Sequence, residues 1–387
     1  MEYCGFASGR PGSDSQTRGL ILDAEADEKV PVTRNKMILS VGGAVLNRVN
    51  FPDGLSLKKA VDEALDFYRS GNPDPDVFVL PFDHGRMERA GRETDELAAF
   101  IKDYHKSRKM KVPTVLVLTS AYYEYENVDI ANVPFHLMNR EQARALKEQE
   151  NGRIVPTLGI AGILSKARIM QAARSPKQAE ELRRFRNGRP TVFFSLGGRV
   201  EGPEIKFTLK DARNLWEYAE KFRREGFNAA FGNSARTPSD VTDYLFEKCR
   251  DAEIPFYNSK KIAASNRGEA DFRLYSGKYR TEFREQEAKL GNIYPAILAV
   301  SSIVAATMDS FSYASDTAAL GIKTAVYTDM EIDPLKRPDC RRLFLSCRDK
   351  YVLDLKDPRV FDTTFMMPPL PHANEAILKA VKKIWKL

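Results

Sequence analysis

The feature that most limits what this chain can fold into is a repeating alternation of short apolar, β-rich runs with amphipathic stretches. Runs such as TVLVL (114–118) and TVFFSL (191–196) are apolar on both alternating sets of positions. That suits strands covered by helices on both faces, as in parallel sheets. The series predicts strands at Tyr3–Ala7, Met37–Val41, Val77–Pro81, Thr114–Thr119, Ile130–Pro134 and Ile154–Leu158. A charged segment with its own helical pattern, Arg174–Arg189, interrupts it. Strands resume at Thr191–Leu196, Asn228–Phe231, Ile254–Tyr257, Ile303–Thr307, Thr324–Tyr327 and Tyr351–Leu355. Between them, Ser56 can cap a helix that buries Val61, Ala64, Leu65 and Tyr68 and stops at Gly71. Leu215, Ala219 and Phe222 form a second stripe ended by Gly226. Two series parted near residue 180 predict an α/β protein of two Rossmann-like, doubly wound parallel-sheet domains, residues 1–185 and 186–372. Ligands on such sheets bind beyond the carboxyl ends of the strands, so two facing sheets place the site in a central cleft.

At 387 residues, 43% hydrophobic and 29% charged, the chain has ordinary globular composition, which excludes wholesale disorder. No uncharged apolar run reaches the ~18–20 residues of a membrane span, and the start MEYCGFASGRPG lacks a basic-then-apolar leader. A cytoplasmic protein is therefore expected. The net charge of +7 favours anionic partners without choosing among them. Cys4, Cys249, Cys340 and Cys347 match no zinc or redox spacing and read as structural thiols; His84, His105, His136 and His372 are equally dispersed.

The residues just after the strands carry the functional signal. Gly9, Gly12, Ser13, Asp14 and Gln16 follow the first strand and precede a helical pattern at Thr17–Glu25, an arrangement that presents backbone N–H groups to an anion or polar substrate. Gly197 and Gly198 end the first strand of the second series, where lack of side chains permits close approach to the backbone. The next strand runs into Asn233, Ser234, Arg236 and Thr237. There Thr237 reads as N-cap, Pro238 as first helical residue and Asp240 as the acidic third, with Arg236 free to grip a phosphate. The strongest passage follows Ile303–Thr307: Asp309, Ser310, Phe311 and Ser312 open a helix whose N-terminus attracts negative charge. Asp316 lies two turns in, placed to accept hydrogen bonds from sugar hydroxyls, and Asn292–Ala296 flanks a base or sugar.

In this order the passages resemble the elongated-mitochondria (mitochondrial fission protein) family, which holds bacterial glycosyltransferase-type proteins and a plant member linked to organelle division. The glycine-rich opening "DGR-x-G-x-x-x-Q-x-x-GL" is matched by Gly9-Arg10, Gly12, Gln16, Gly19 and Leu20. "VP-x-H" and "T-x-GA" correspond to Val133–His136 and Thr157–Ala161. The "GG" turn, the "T-S-R-R-T-P" loop, "N-P-Y-x-x-x-L" and "T-x-D-S-x-S-M-x-S-E-A" correspond to Gly197-Gly198, Asn233–Pro238, Asn292–Leu298 and Thr307–Thr317. The likeness spans about residues 8–328. It implies a GT-B-like fold, with acceptor on the first domain, nucleotide-sugar donor mainly on the second, and a last helix returning to the first. Two departures stand out: the family's His-Glu pair is Ser13-Asp14 here, and its late glutamate is Asp316.

The expected chemistry is metal-independent transfer of a sugar from a nucleoside diphosphate to a glycan, lipid-linked or other hydroxyl acceptor, with no cofactor. Arg236 and the helix start at Ser310–Ser312 would stabilise the leaving diphosphate. Asp14 is the first candidate for base, ahead of His84 and His136. A catalytically inactive adaptor is the alternative, as is a nucleic-acid-binding or DNA-sugar-modifying protein suggested by the basic stretches His105–Lys111 and Arg183–Arg189. Nucleic acid ranks as the least expected partner. The tail, residues 373–387, sets Ile377, Val381, Ile384 and Trp385 against Lys379, Lys382, Lys383 and Lys386. It is expected to dock on the first domain, with peripheral contact to an anionic membrane as the other option.

Overall fold

The structure, a computed structural model, describes residues 1, 3–6, 16–17, 19–21, 23–24, 35–39, 61–62, 65–66, 69–70, 74–81, 87–120, 124–138, 153–162, 164, 166–198, 204–234, 236–258 and 279–386. The chain divides into two compact units: Met1–Ser165 with Pro371–Leu387, and Lys166–Leu370.

The first unit is built on β1 (Tyr3–Phe6), β2 (Asn35–Leu39), β3 (Val77–Pro81), β4 (Thr114–Leu118), β5 (Ile130–Pro134) and β6 (Ile154–Thr157). All pair in parallel in the order β2-β1-β3-β4-β5-β6. Alternate residues face opposite layers, as the strand period demands. Phe78, Leu80, Val115 and Val117 pack beneath Leu97, Ala98, Ile101 and Tyr104 of α1 (Met87–Ser107). Val77, Val79, Leu116 and Leu118 turn the other way, onto Leu20, Ile21 and Ala24. Residues 16, 17, 19–21, 23 and 24 are helical, and so are 61, 62, 65, 66 and 69, where Val61 and Leu65 are buried. Ser56, Ala64, Tyr68 and Gly71 fall outside the described residues.

The tail lies on this unit. Ile377, Leu378 and Val381 of the C-terminal helix (Ala373–Trp385) join the second layer's core. Asn374 is fully buried: its amide donates to Asp23 Oδ2 (2.7 Å) and the Gly162 carbonyl (3.0 Å), and its oxygen accepts from Gly162 N. Trp385 Nε1 donates to Thr114 Oγ1, and Lys111 Nζ stands 3.7 Å above the indole. Truncating Ile377 to Ala is therefore expected to cost about 2–5 kcal/mol in urea unfolding, the penalty of a cavity in a packed layer. A loss under about 0.5 kcal/mol would mean the helix is not part of that core.

The second unit begins with α2 (Lys166–Ala173) and α3 (Pro176–Arg186). Gln178 Nε2 donates to the Leu290 carbonyl (2.7 Å), and Asn228 Nδ2 to those of Phe185 and Arg186, tying α3 to the second sheet. The division at 165/166 thus falls some twenty residues before the composition break near 185, because a polar, charged helix is still a packed one. Its strands are β7 (Thr191–Ser195), β9 (Asn228–Asn233), β10 (Phe256–Asn258), β11 (Ile303–Thr307), β12 (Lys323–Tyr327) and β14 (Leu353–Asp354), all parallel in the order β10-β9-β7-β11-β12-β14. A small antiparallel pair, β8 (Ile205–Lys206) with β13 (Glu331–Ile332), is too short to read from alternation. Covering helices are α4 (Leu209–Arg224), α5 (Ser239–Asp251), α6 (Arg280–Leu290), α7 (Tyr294–Val300), α8 (Phe311–Ala319) and α9 (Pro338–Cys347); the tail helix is α10. Gly226 and Gly321, just past α4 and α8, have φ of +86° and +79°, the left-handed closure a glycine makes cheaply.

Two doubly wound sheets in succession, with the last helix on the first unit, make the chain GT-B-like. All four cysteines are buried and none forms a disulfide, and burial pushes each thiol up, Cys340 to about 12. No helix among the described residues is long and apolar enough to cross a membrane.

Candidate active site

In a doubly wound sheet the loops part where successive connections go to opposite faces, and the opening lies at the carboxyl ends of the two strands there. In the second sheet those strands are β7 and β11. The residues following them are Gly197-Gly198 and Met308–Ser310, the passages singled out from sequence. The loop after β9 closes the third side.

The glycine pair is the hub. Gly197 N donates to Thr307 Oγ1 and Gly198 N to Asp309 Oδ2, both at 2.8 Å. A Cβ on Gly197 would stand 2.1 Å from Ser310 Oγ and 2.3 Å from Asp309 Oδ1; one on Gly198 would stand 1.9 Å from the Arg236 carbonyl oxygen. From sequence these glycines are expected to let a ligand approach the backbone closely; in the structure their N–H groups are taken by Thr307 and Asp309, and the close approach where a Cβ would stand is made by the chain itself.

Thr237 does not cap α5. The helix starts at Ser239 with Pro238 in the capping position and no side-chain cap, one residue later than the sequence pattern places it. Thr237 Oγ1 instead accepts from Ser234 N (2.9 Å) and donates to the Gly197 carbonyl (2.5 Å), which pins the β9–α5 loop to the glycine turn. Arg236 N donates to Ser234 Oγ (3.3 Å), closing a tight turn that carries the Arg236 side chain outward. Its guanidinium, 43% exposed, comes within 3.7 Å of Asp309 Oδ2, whose side chain is wholly buried. The long distance matters: it leaves the guanidinium donors available to a second acceptor.

Ser310 holds the N-cap position of α8 without a side-chain cap; Phe311 and Ser312 form the first turn. Ser310 Oγ and Asp309 Oδ1 are buried with no hydrogen-bond partner among the described residues, and both point at Gly197. Arg337, clamped by Asp339 (2.8 Å) and held above its ordinary range by that bond, adds a second guanidinium to the Asp309 environment.

Beside this cluster lies an aromatic pocket formed by Phe193, Tyr257, Tyr294 and Tyr313 with Asn233, Asn258 and Asn292 at its polar edge. The Tyr294 and Tyr313 rings lie 5.0 Å apart, and Phe193 is 5.9 Å from Tyr294. Burial drives both tyrosine hydroxyls up. For Tyr313 the Arg236 guanidinium opposes this, while Asp316, buried on α8, raises both. Both are neutral donors at pH 7. The enclosed volume is about 10 Å³, the space of roughly one water molecule.

Sequence reasoning thus placed Gly197, Gly198, Asn233, Ser234, Arg236, Thr237, Asp309, Ser310 and Asp316 on one edge of one unit, and the structure gathers them there. It missed Thr307, Phe193, Tyr257, Asn258, Tyr313 and Arg337. For Thr307, Tyr257 and Asn258 the available signal was a polar or aromatic residue at the end of a buried strand, as in IVAAT and FYN; Phe193 inside β7, Tyr313 on α8 and Arg337 ahead of α9 carried no such signal.

In the first unit Gln16 stands at the matching edge. Thr119 Oγ1 donates to Gln16 Oε1 (2.8 Å), and Thr119 N donates to Asn132 Oδ1. Asn132 Nδ2 reaches Thr157 Oγ1 (3.0 Å), and the Ser120 and Tyr125 hydroxyls lie 2.6 Å apart. Thr119 holds φ at +53°, uncommon for a β-branched residue and a mark of local strain at a strand end. Gly9, Gly12, Ser13, Asp14 and His84 lie outside the described residues. His136 is buried in a short turn after β5.

The chain is similar over 99% of its length to the whole of the UDP-GlcNAc 2-epimerase from Methanocaldococcus jannaschii, at 13% identity and a TM-score of 0.47. The same enzyme with UDP-GlcNAc and UDP gives 12% and 0.45 over 99% of each chain. An alpha-glucosyltransferase in complex with UDP gives 11% and 0.36, over 99% of this chain and 96% of that one. No family model and no curated protein matches the sequence.

Of the two basic stretches, His105–Lys111 packs into the first unit through its first residue; residues 106–109 and Lys111 are exposed. His105 is buried, donates through Nδ1 to the Ile101 carbonyl (2.7 Å), and is held below its ordinary range by burial. Arg108 lies over Tyr104, and Lys111 pairs with Asp76 at 2.9 Å.

Proposed function

We propose that the second unit binds a nucleoside-diphosphate sugar at the β7/β11 switch point and that the protein is a glycosyltransferase of GT-B type, related to the elongated-mitochondria family. The observation that carries this reading is the placement of an exposed, loosely paired guanidinium, Arg236, beside the capless N-terminus of α8 with its buried Ser310 hydroxyl. Partial positive charge from the helix start and full charge from Arg236 converge on one spot, which suits a diphosphate. Asp316 would meet the ribose. The base would stack in the Phe193–Tyr257–Tyr294–Tyr313 pocket once an aromatic wall turns outward.

Transfer breaks the bond between the sugar's anomeric carbon and the diphosphate oxygen, which keeps the electron pair. The acceptor oxygen bonds to that carbon, and its proton goes to a base, for which Asp14 remains the candidate. Arg236 and the α8 start lower the barrier by meeting charge that grows on the leaving oxygen. The polar edge at Gln16, Thr119, Asn132 and Thr157 is the matching place for a hydroxyl-rich acceptor, a glycan or lipid-linked sugar.

Thermal unfolding in the presence of UDP, GDP, ADP and CMP tests the reading. At one hundred times Kd, one of them is expected to stabilise by about 2.7 kcal/mol, a rise of roughly 5–10 °C. No response to any nucleotide would overturn it. Given binding, release of the diphosphate from its sugar conjugate only when an acceptor is present marks a transferase.

A further inference from the structure

At the opposite, amino edge of the second sheet the chain builds another concavity. Its volume is about 410 Å³, and it is lined by Arg184, Arg189, Arg223 and Arg224 with Glu220 and Glu253. Three helices end here: α3, α4 and α5. The basic residues could serve merely to offset three helix C-termini. Their carbonyls, however, are already met. Asn228 Nδ2 bonds those of Phe185 and Arg186 on α3. Phe227 N reaches back to the Phe222 carbonyl and Ile254 N to that of Cys249, closing α4 and α5 through the backbone.

The arginine side chains remain largely uncommitted. Arg223 pairs with Glu220 at 3.0 Å, and Arg184, 73% exposed, stands 3.9 Å from Glu181. Arg189 and Arg224 form no ion pair among the described residues. The lining carries four arginines against two carboxylates, Glu220 and Glu253. The excess outweighs the three dipole ends.

We propose that this groove binds the phosphodiester backbone of double-stranded nucleic acid, independently of base sequence. Exposed guanidiniums hold a single small anion weakly, so useful affinity needs a ligand that presents several phosphates in fixed register. Phe185 and Phe227, the aromatic side chains of the lining, are buried, so no stacking platform favours an unpaired strand. A concavity without an exposed apolar anchor suits a convex, charged rod rather than a flat bilayer. Nucleic acid, ranked last from sequence, thereby gains a site, on the stretch Arg183–Arg189 rather than His105–Lys111. The groove lies at the sheet edge opposite the nucleotide site, so it would tether a polyanion rather than present it to the chemistry.

Fluorescence anisotropy of a labelled 20-bp duplex against the full chain, from about 50 to 200 mM salt, tests this. Four phosphate contacts predict a slope of log K against log salt of about −3.6. Arg184→Ala with Arg224→Ala is expected to flatten the slope by about 2 and to weaken binding at least tenfold at low salt, with the unfolding temperature unchanged. Glu253 has φ of +55°, which asparagine tolerates, so Glu253→Asn removes a carboxylate without strain and is expected to tighten duplex binding. No binding at 50 mM salt would overturn the proposal. So would an unchanged slope in the double variant, or loss of sedimentation with anionic vesicles while duplex binding persists.

Discussion

A single methyl group on Gly198 is expected to destabilise the second unit by more than about 4 kcal/mol, the range reached when a substitution collides with backbone rather than with a movable side chain. The new Cβ would lie 1.9 Å from the Arg236 carbonyl oxygen, 2.1 Å from its carbon and 2.5 Å from Thr237 N. No rotamer change relieves that. Backing away is opposed by the 2.8 Å bond from Gly198 N to Asp309, and Thr237 fastens the facing loop to Gly197. Gly226→Ala is the control. It has no atom within 4 Å and only its φ of +86° to strain, so a loss of about 1 kcal/mol is expected. Gly197→Ala should fall between, since its neighbours are the side-chain oxygens of Ser310 and Asp309. Urea unfolding ranks the three; equal losses at Gly198 and Gly226 would show that the three loops do not converge as described.

The same turn shows how far the sequence reads. The glycines, Arg236 and the Asp309-Ser310 helix start could be placed at strand ends because apolar runs announce parallel strands, and parallel strands announce where ligands bind. Strand existence came through for the same reason: β3, β5 and β11 match their expected bounds residue for residue. Strand order did not. Nothing local distinguishes the 2-1-3-4-5-6 arrangement of the first sheet from the 3-2-1-4-5-6 arrangement of the second, since that choice is made by crossover packing. Hydrogen-bond assignment was equally hidden. Thr237 looked like a helix cap because Thr-Pro-x-Asp usually is one, and only tertiary contact with the Gly197 carbonyl explains its other use. The aromatic pocket escaped because Phe193, Tyr257, Tyr294 and Tyr313 come from four separate elements.

Arg236→Ala is expected to remove nearly all nucleotide stabilisation. Losing a charge-assisted contact to a diphosphate costs about 2.7 kcal/mol, or a hundredfold in affinity. At a ligand concentration of one hundred times the original Kd, stabilisation then drops from about 2.7 to about 0.4 kcal/mol. The fold should be indifferent, because the side chain is 43% exposed and its ion pair is long. Asp309→Asn is expected to act in the other direction. Its carboxylate sits at a helix start with one oxygen on Gly198 N and the other without a partner among the described residues, so it competes with an incoming anion for Arg236. The amide keeps an acceptor for Gly198 and removes the charge. Binding should tighten about five- to tenfold, the worth of one like charge at short range near a protein surface. Stability should fall by only about 0.5–1 kcal/mol as the helix dipole loses its anion. Calorimetric titration of both variants separates the alternatives. If Asp309→Asn weakens nucleotide binding as severely as Arg236→Ala, the carboxylate holds the guanidinium in place rather than opposing its ligand. If neither variant changes it, the diphosphate does not bind at the β7/β11 switch point.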